Sequence, residues 1–119
     1  MRLESLAGPA APAVKRPEGL SWDDLSPEDQ RLHLQAQRVA RVRVAEIRLY
    51  EEESLRRGIA GSNIYEVLEA KIDAARREFL QSFLSKSATM VDYLHLEILR
   101  SLAKDDTKLL GATYPGPMV

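Results

Sequence analysis

The chain has no cysteine among its 119 residues. It can therefore form no disulfide, no thiolate zinc site and no cysteine nucleophile. Long apolar runs are also absent, so the sequence predicts no membrane span. Basic and acidic residues number 17 and 18, and this net charge of -1 argues against a uniformly basic nucleic-acid-binding domain. These features predict one small cytoplasmic domain.

Glycine and proline are rare between the two ends of the chain, which favours an all-α fold. Residues 1–19 mix alanine, proline and glycine without a period, and we interpret them as a disordered arm. Residues 20–111 are predicted to form the helical domain, a long antiparallel helical hairpin plus a third helix. Residues 112–119 form a C-terminal tail that Pro115 and Pro117 keep out of a helix.

The longest helical pattern runs from Ser26 to Gly58 without a breaker. Ser26 can cap its start, Pro27 suits the first helical position, and Gly58 is expected to end it in a left-handed conformation. Such a helix would be roughly 46 Å long, so it needs a partner along much of its length. Its predicted core face consists of Leu32, Ala36, Val39, Ala40, Ile47 and Tyr50.

The same helix carries a second apolar strip on another side, and one partner helix cannot cover both sides. We therefore predict a homodimer of coiled-coil type, or another protein partner, on this strip. The apolar cluster of Leu20, Trp22 and Leu25 precedes the helix. Trp22 either packs back on the bundle or anchors a partner, since an exposed Trp is a common hot-spot residue. The second strip consists of Leu34, Val42, Ala45 and Leu49.

Arginines form a stripe along the long helix, and acidic residues form another on the second helix. In an antiparallel hairpin, Arg48 comes level with Asp73. The favoured interpretation is therefore a solvated ion-pair network between the stripes. An acidic protein partner is an alternative, and nucleic acid is disfavoured because no aromatic residues interleave the arginines. The two stripes are Arg31, Arg38, Arg41 and Arg48, and Glu66, Glu69 and Asp73.

The second helix is expected to follow a turn at residues 58–62, with Asn63 and Glu66 at the spacing of a capping box. Its apolar residues recur at steps of three and four, the clearest amphipathic pattern in the chain. Around Ser85–Ser87 the helix is expected either to bend or to stop and restart. The apolar residues are Ile64, Leu68, Ile72, Ala75, Phe79 and Phe83.

A third helix is predicted over residues 88–103, and Asp106 is expected to cap a short final turn. Tyr114 in the tail is a large ring, and the neighbouring prolines reduce the entropy that docking would cost. We predict that Tyr114 packs on the helices near the third one, while Met118 and Val119 remain free.

Chemistry-bearing motifs are sparse. Asp92 and His95 stand three residues apart and could share a metal, but helical di-iron sites need such a pair supplied twice. The only other histidine is His33, and no phosphate loop or nucleophile motif is present. We therefore predict a protein that is not an enzyme and has no cofactor.

Four sequence blocks stand in order over about residues 36–117: ARVRVAEIRLYEEE, RRGIAGSNIYEVLEAKIDAARREF, DYLHLEILRSLAKDD and LLGATYPGP. This combination resembles an uncharacterised helical module of bacterial proteins, acidobacterial ones in particular. The resemblance implies a domain with a fixed C-terminal boundary. It implies no activity and no site residues.

Together these observations predict a non-enzymatic oligomerisation or protein-interaction module. A nucleic-acid-associated regulator that uses the arginines is the alternative, and a metal-binding helical bundle around Asp92 and His95 is less favoured. The candidate interaction residues are Trp22, Leu34, Arg38, Arg41, Val42, Ala45, Arg48 and Leu49.

Overall fold

The structure is a computed structural model, and it describes residues 21–119. The predicted arm at residues 1–19 lies outside the described residues. The described part is all-α and contains no strand, which confirms the predicted fold class. Its five α-helices are α1 (Pro27–Tyr50), α2 (Glu52–Gly61), α3 (Ile64–Val67), α4 (Glu69–Phe79) and α5 (Tyr93–Glu97). Two π-helical turns, Leu80–Leu84 and Ile98–Leu102, extend α4 and α5, and short 3-10 turns occupy Trp22–Asp24 and Thr107–Leu110.

The start of α1 follows the sequence prediction. The Ser26 hydroxyl accepts a hydrogen bond from the Asp29 backbone N–H at 3.1 Å, and Pro27 occupies the first turn. The predicted unbroken helix is wrong, however, because the backbone leaves helical geometry at Glu51, with φ −120° and ψ 36°. The chain then resumes as α2, which packs on α3 and on the Thr107–Leu110 turn.

Gly58 does not end the helix as predicted. It is buried inside α2, and a Cβ at this position would lie only 2.8 Å from the Ile64 Cα. Ser62 supplies the left-handed residue instead, with φ 53°. The predicted capping box at Asn63 is also wrong, since the Asn63 side chain makes no cap hydrogen bond. Glycine at position 58 therefore serves the close approach of α2 and α3 rather than the turn.

The helices α1 and α4 form an antiparallel hairpin, and α5 packs beside it. Arg43 of α1 pairs with Glu78 near the end of α4, while Tyr50 and Lys71 line one groove. The helix α5 runs parallel to α1. Its first residue, Tyr93, hydrogen-bonds His33 near the start of α1 at 2.7 Å. The last turn of α5 reaches the groove that also contains Arg48.

The third helix begins later than predicted. The chain stops being helical after Leu84, and α5 starts only at Tyr93. Asp92 caps it by accepting the His95 backbone N–H at 3.0 Å. In the intervening segment, the Ser87 hydroxyl accepts the Thr89 backbone N–H at 3.2 Å, and this local bond replaces a helical one. The predicted cap at Asp106 is present.

The core lies where the hairpin meets α5. The predicted core residues Ile47, Leu68, Ile72, Ala75 and Phe79 are all buried. Tyr50 is an exception at 75% exposed, so its assignment to the core was wrong. It is the last residue of α1, and the break at Glu51 directs the following turn onto α3, so Tyr50 has no helix packed over it.

The tail docks on the helices through Tyr114 and its last residues, while Ala112, Thr113 and Pro115 are exposed. Tyr114 stacks on His95 with ring centroids 5.6 Å apart, which confirms the prediction for this residue. Met118 and Val119 were predicted to be free, and this is wrong. The Met118 N–H donates to the Asp92 carboxylate at 2.8 Å, and Val119 is only 2% exposed.

Candidate interaction surface

The exposed side of α1 carries both features that the sequence analysis treated separately. The arginine stripe and the second apolar strip together span about 120° of the helix circumference by the helical period. Every one of these residues is exposed, and no acidic residue of α1 falls in this arc. We call this surface the outer face: Arg31, Leu34, Arg38, Arg41, Val42, Ala45, Arg48 and Leu49.

The apolar part of the outer face is unusually open to solvent. Leu34, Val42 and Leu49 are 56%, 51% and 71% exposed. Single exposed aliphatic residues are ordinary on a protein surface, but a line of them on one helix forms a larger exposed apolar patch. The line extends over roughly 22 Å of helix, calculated at 1.5 Å per residue.

The arginines of the outer face have no carboxylate partner in the part of the chain that the structure describes. The predicted network with the second helix is therefore not formed. Arg48 does come level with Asp73 along the hairpin axis, but Asp73 accepts the Tyr65 hydroxyl at 2.6 Å. Arg48 instead lines a groove with the turn that extends α5. Arg48 and Asp73 therefore form no ion pair, although the predicted register between α1 and α4 was right.

Arg43 shows how a paired arginine differs from those of the outer face. It lies between the core and the solvent and binds both Glu46, at 3.0 Å, and Glu78. The hydrogen bond to Glu78 raises the pKa of Arg43. Arg43 therefore ties α1 to α4, whereas the charges of the outer face remain available to a partner.

Trp22 does not belong to the outer face. It is half-buried, and its ring meets the buried His33 edge-on with centroids 5.9 Å apart. Its carbonyl accepts a hydrogen bond from the Gln30 side chain at 2.9 Å. The described residues before α1 thus pack back on the bundle, as one of the two sequence interpretations proposed, while Leu20 of the same cluster lies outside the described residues.

His33 is a buried polar residue that the sequence analysis did not assign. Its two ring nitrogens lie 2.7 Å from the Tyr93 hydroxyl and 3.1 Å from the Thr89 hydroxyl. The Thr89 hydroxyl in turn donates to Asp29 at 3.3 Å. The burial of His33 could have been predicted from its helical spacing to Ala36, because the two residues share the core face of α1.

The Asp92–His95 pair is engaged in structural hydrogen bonds. One Asp92 oxygen caps α5 and the other accepts the Met118 N–H, while His95 Nδ1 lies 2.7 Å from the Tyr114 hydroxyl. Burial lowers the pKa of His95. Among residues 21–119, no three His, Asp or Glu side chains come close enough together to hold a metal ion.

Comparisons with known proteins return no match to a family model, to a curated protein or to a solved structure. The resemblance to a bacterial helical module therefore stays a prediction. None of the described helices has the length and apolar character needed to cross a membrane.

Proposed function

We propose that the protein is a non-enzymatic, cytoplasmic interaction module that binds an acidic amphipathic segment of another protein through the outer face of α1. The observation that carries this proposal is one helix face that combines exposed aliphatic side chains with arginines that have no ion-pair partner among residues 21–119 and no carboxylate beside them on the face.

The charge of the outer face selects the kind of partner. Arginine presents a planar fork of donors that binds carboxylates in pairs of parallel hydrogen bonds. A partner helix with acidic residues along one edge of an apolar stripe would match both the arginines and the line formed by Leu34, Val42 and Leu49. Such helix-on-helix recognition uses apolar anchors at steps of three and four, as this face provides.

A second copy of the chain is the other protein occupant predicted from the sequence. In a twofold symmetric dimer the same surface meets itself, so arginines of the two copies would face one another. Like charges placed together disfavour such pairing. This argument supports a different, acidic partner over a homodimer through the outer face.

The test uses a synthetic 20-residue amphipathic peptide with leucines on one face and glutamates along one edge of that face. Binding is followed by fluorescence anisotropy of the labelled peptide. We expect binding to weaken about tenfold or more in the double variant Arg38→Glu, Arg41→Glu, and also in Leu49→Ser. Arg77→Glu, an exposed arginine change on α4, is the matched control and should have no effect.

A peptide in which lysines replace the glutamates should not bind. Equal binding of the two peptides, or binding that is indifferent to the outer-face variants, would overturn the proposal.

A 20-base-pair DNA duplex tests the alternative class of partner. Nucleic acid would need the arginines but not Leu49, and its affinity would fall steeply with salt. A duplex that binds more tightly than the acidic peptide and is unaffected by Leu49→Ser would replace the protein partner with nucleic acid.

Light scattering at tens of micromolar tests the homodimer. A dimer that Val42→Glu dissociates without loss of helicity would identify a second copy as the occupant and would contradict the acidic partner. A monomer at this concentration is the result expected here.

A further inference from the structure

A groove of about 410 Å³ lies where the end of α5 meets α1 and α2. Its volume falls in the range of small-molecule sites. Three cationic side chains surround a floor that is mainly aliphatic. The described lining residues are Arg48, Glu52, Leu55, Arg56, Ile59, Ser101, Leu102 and Lys104.

The charge of this groove is positive. Arg56 is paired with Glu52 at 3.8 Å and with Glu53 at 2.9 Å. Arg48 and Lys104 have no carboxylate within ion-pair distance among residues 21–119. Glu52 is the one acidic residue among the described lining residues. A concave surface with such an excess of cations concentrates anions.

Lys104 reaches the groove from an uncommon backbone conformation. Its φ is 53°, and the next residue, Asp105, has φ 64°. Lysine has no local side-chain bond that favours the left-handed region, in contrast to aspartate or asparagine. This conformation turns the chain directly after α5 and leaves Lys104 at the groove, opposite Arg48 and Arg56. The same conformation closes the helix end, because the Asp105 N–H donates to the Leu99 carbonyl at 2.9 Å.

We propose that this groove binds the phosphate group of a small phosphorylated organic molecule. Arg48 supplies a bidentate donor fork and Lys104 a point charge, the two kinds of cationic group that most often hold phosphate. The Ser101 hydroxyl donates to Glu97 at 2.6 Å, so the cations provide the donors. Ile59, which is partly exposed in the floor, contacts the organic part, which makes an organic phosphate a better ligand than inorganic phosphate.

The test is an amide-resolved NMR titration at pH 7.5 with inorganic phosphate, with phenyl phosphate and with sodium chloride at equal ionic strength. We expect shifts confined to the neighbourhood of Leu55, Ser101 and Lys104, with phenyl phosphate binding several-fold more tightly than inorganic phosphate. Sodium chloride should not produce these shifts. Shifts spread evenly over all exposed arginines would show unspecific anion binding and would overturn the proposal.

Variants at Lys104 decide whether the groove itself binds. Lys104→Gln should weaken binding of phenyl phosphate about tenfold, since one charged donor is lost. Lys104→Gly removes the side chain and relieves the backbone strain, so it should fold at least as well as the parent and bind equally weakly. Arg77→Gln on α4 is the matched control. Unchanged affinity in Lys104→Gly would overturn the proposal.

This inference shares Arg48 with the outer face, so the variants at Lys104 separate it from the proposed protein partner. Lys104 does not lie on the outer face, so both Lys104 variants should bind the acidic peptide like the parent. If a Lys104 variant loses phenyl phosphate binding and keeps peptide binding, the phosphate site is the groove. If Leu49→Ser loses peptide binding and keeps phenyl phosphate binding, the peptide site is the outer face.

Discussion

The two sides of the helical hairpin differ in whether their polar side chains have partners in the described part of the protein. On the side of α4, α5 and the tail, Tyr114, His95, Asp92 and Arg76 are all engaged with one another or with the backbone. On the outer face of α1, arginines and aliphatic residues are exposed together. The first side satisfies its groups internally and so contributes to stability. The second side contains exposed groups that no described residue pairs with, which is why we propose that it binds a partner.

The largest expected effect is in the core. Phe79 is buried against Phe83, with ring centroids 5.1 Å apart. Phe79→Ala should lower the free energy of unfolding by roughly 3–5 kcal/mol, because it removes buried apolar surface and leaves a cavity. Urea denaturation measures this loss. Leu49→Ala on the outer face is the comparison, and a loss for Phe79→Ala below about 1 kcal/mol would contradict the core assignment.

The docked tail should have the next largest effect. Deletion of residues 112–119 removes the stacking of Tyr114 on His95, the Arg76 bond to the Gly116 carbonyl at 2.8 Å, and the burial of Val119. We expect a loss of roughly 2 kcal/mol, or roughly 10 °C in Tm. Calorimetry of the full-length and shortened chains measures it. An unchanged Tm would mean that the tail does not stabilise the bundle.

The stability of the side that contains His95 should depend on pH. Burial holds the pKa of His95 below its usual value of 6.5, and the neighbouring Arg76 lowers it further while Asp92 opposes the shift. The unfolded chain therefore binds more protons than the folded protein below about pH 6.5. The free energy of unfolding is therefore not reduced by His95 above that pH. It falls as the pH drops from about 6.5 towards the pKa of His95 in the folded protein.

The variant His95→Gln tests this dependence. Its side-chain oxygen can still accept the Tyr114 hydroxyl, but it does not titrate. Urea denaturation between pH 7.5 and pH 5 should show a smaller loss of stability for the variant than for the parent. Curves of equal slope would show that His95 does not contribute to acid destabilisation. Tyr65 plays no part in this range, since its hydrogen bond to Asp73 raises its pKa to about 12.

The smallest effect on stability belongs to the outer face. Leu49→Ser and the double change Arg38→Glu, Arg41→Glu alter exposed residues without partners in the described part of the chain, so each should change the free energy of unfolding by less than about 0.5 kcal/mol per substitution. Thermal unfolding with peptide binding on the same samples measures both quantities. Variants that lost stability but kept binding would reverse our assignment of the two sides.

Much of the fold follows from local patterns in the sequence. The cap at Ser26, the buried positions from Ile64 to Phe83 and the final turn after Asp106 all depend on residues within one or two turns. The composition of the outer face was equally readable, since each of its residues was named from helical spacing. The exposure of both strips could not be predicted, because spacing alone does not tell which side of a helix a neighbour covers.

The sequence by itself determined the all-α class, the main core stripe and the exposed candidates on α1, because side-chain periodicity reports directly on which face can be buried. Tertiary contacts alone decided the break at Glu51, the role of Gly58 against Ile64, and the docking of Val119. They also decided that Arg48 faces the end of α5 rather than Asp73. The docking of Val119 and the position of Arg48 depend on residues far apart in the chain, whereas the break at Glu51 and the close approach at Gly58 depend on how consecutive helices pack. Side-chain periodicity encodes neither kind of contact.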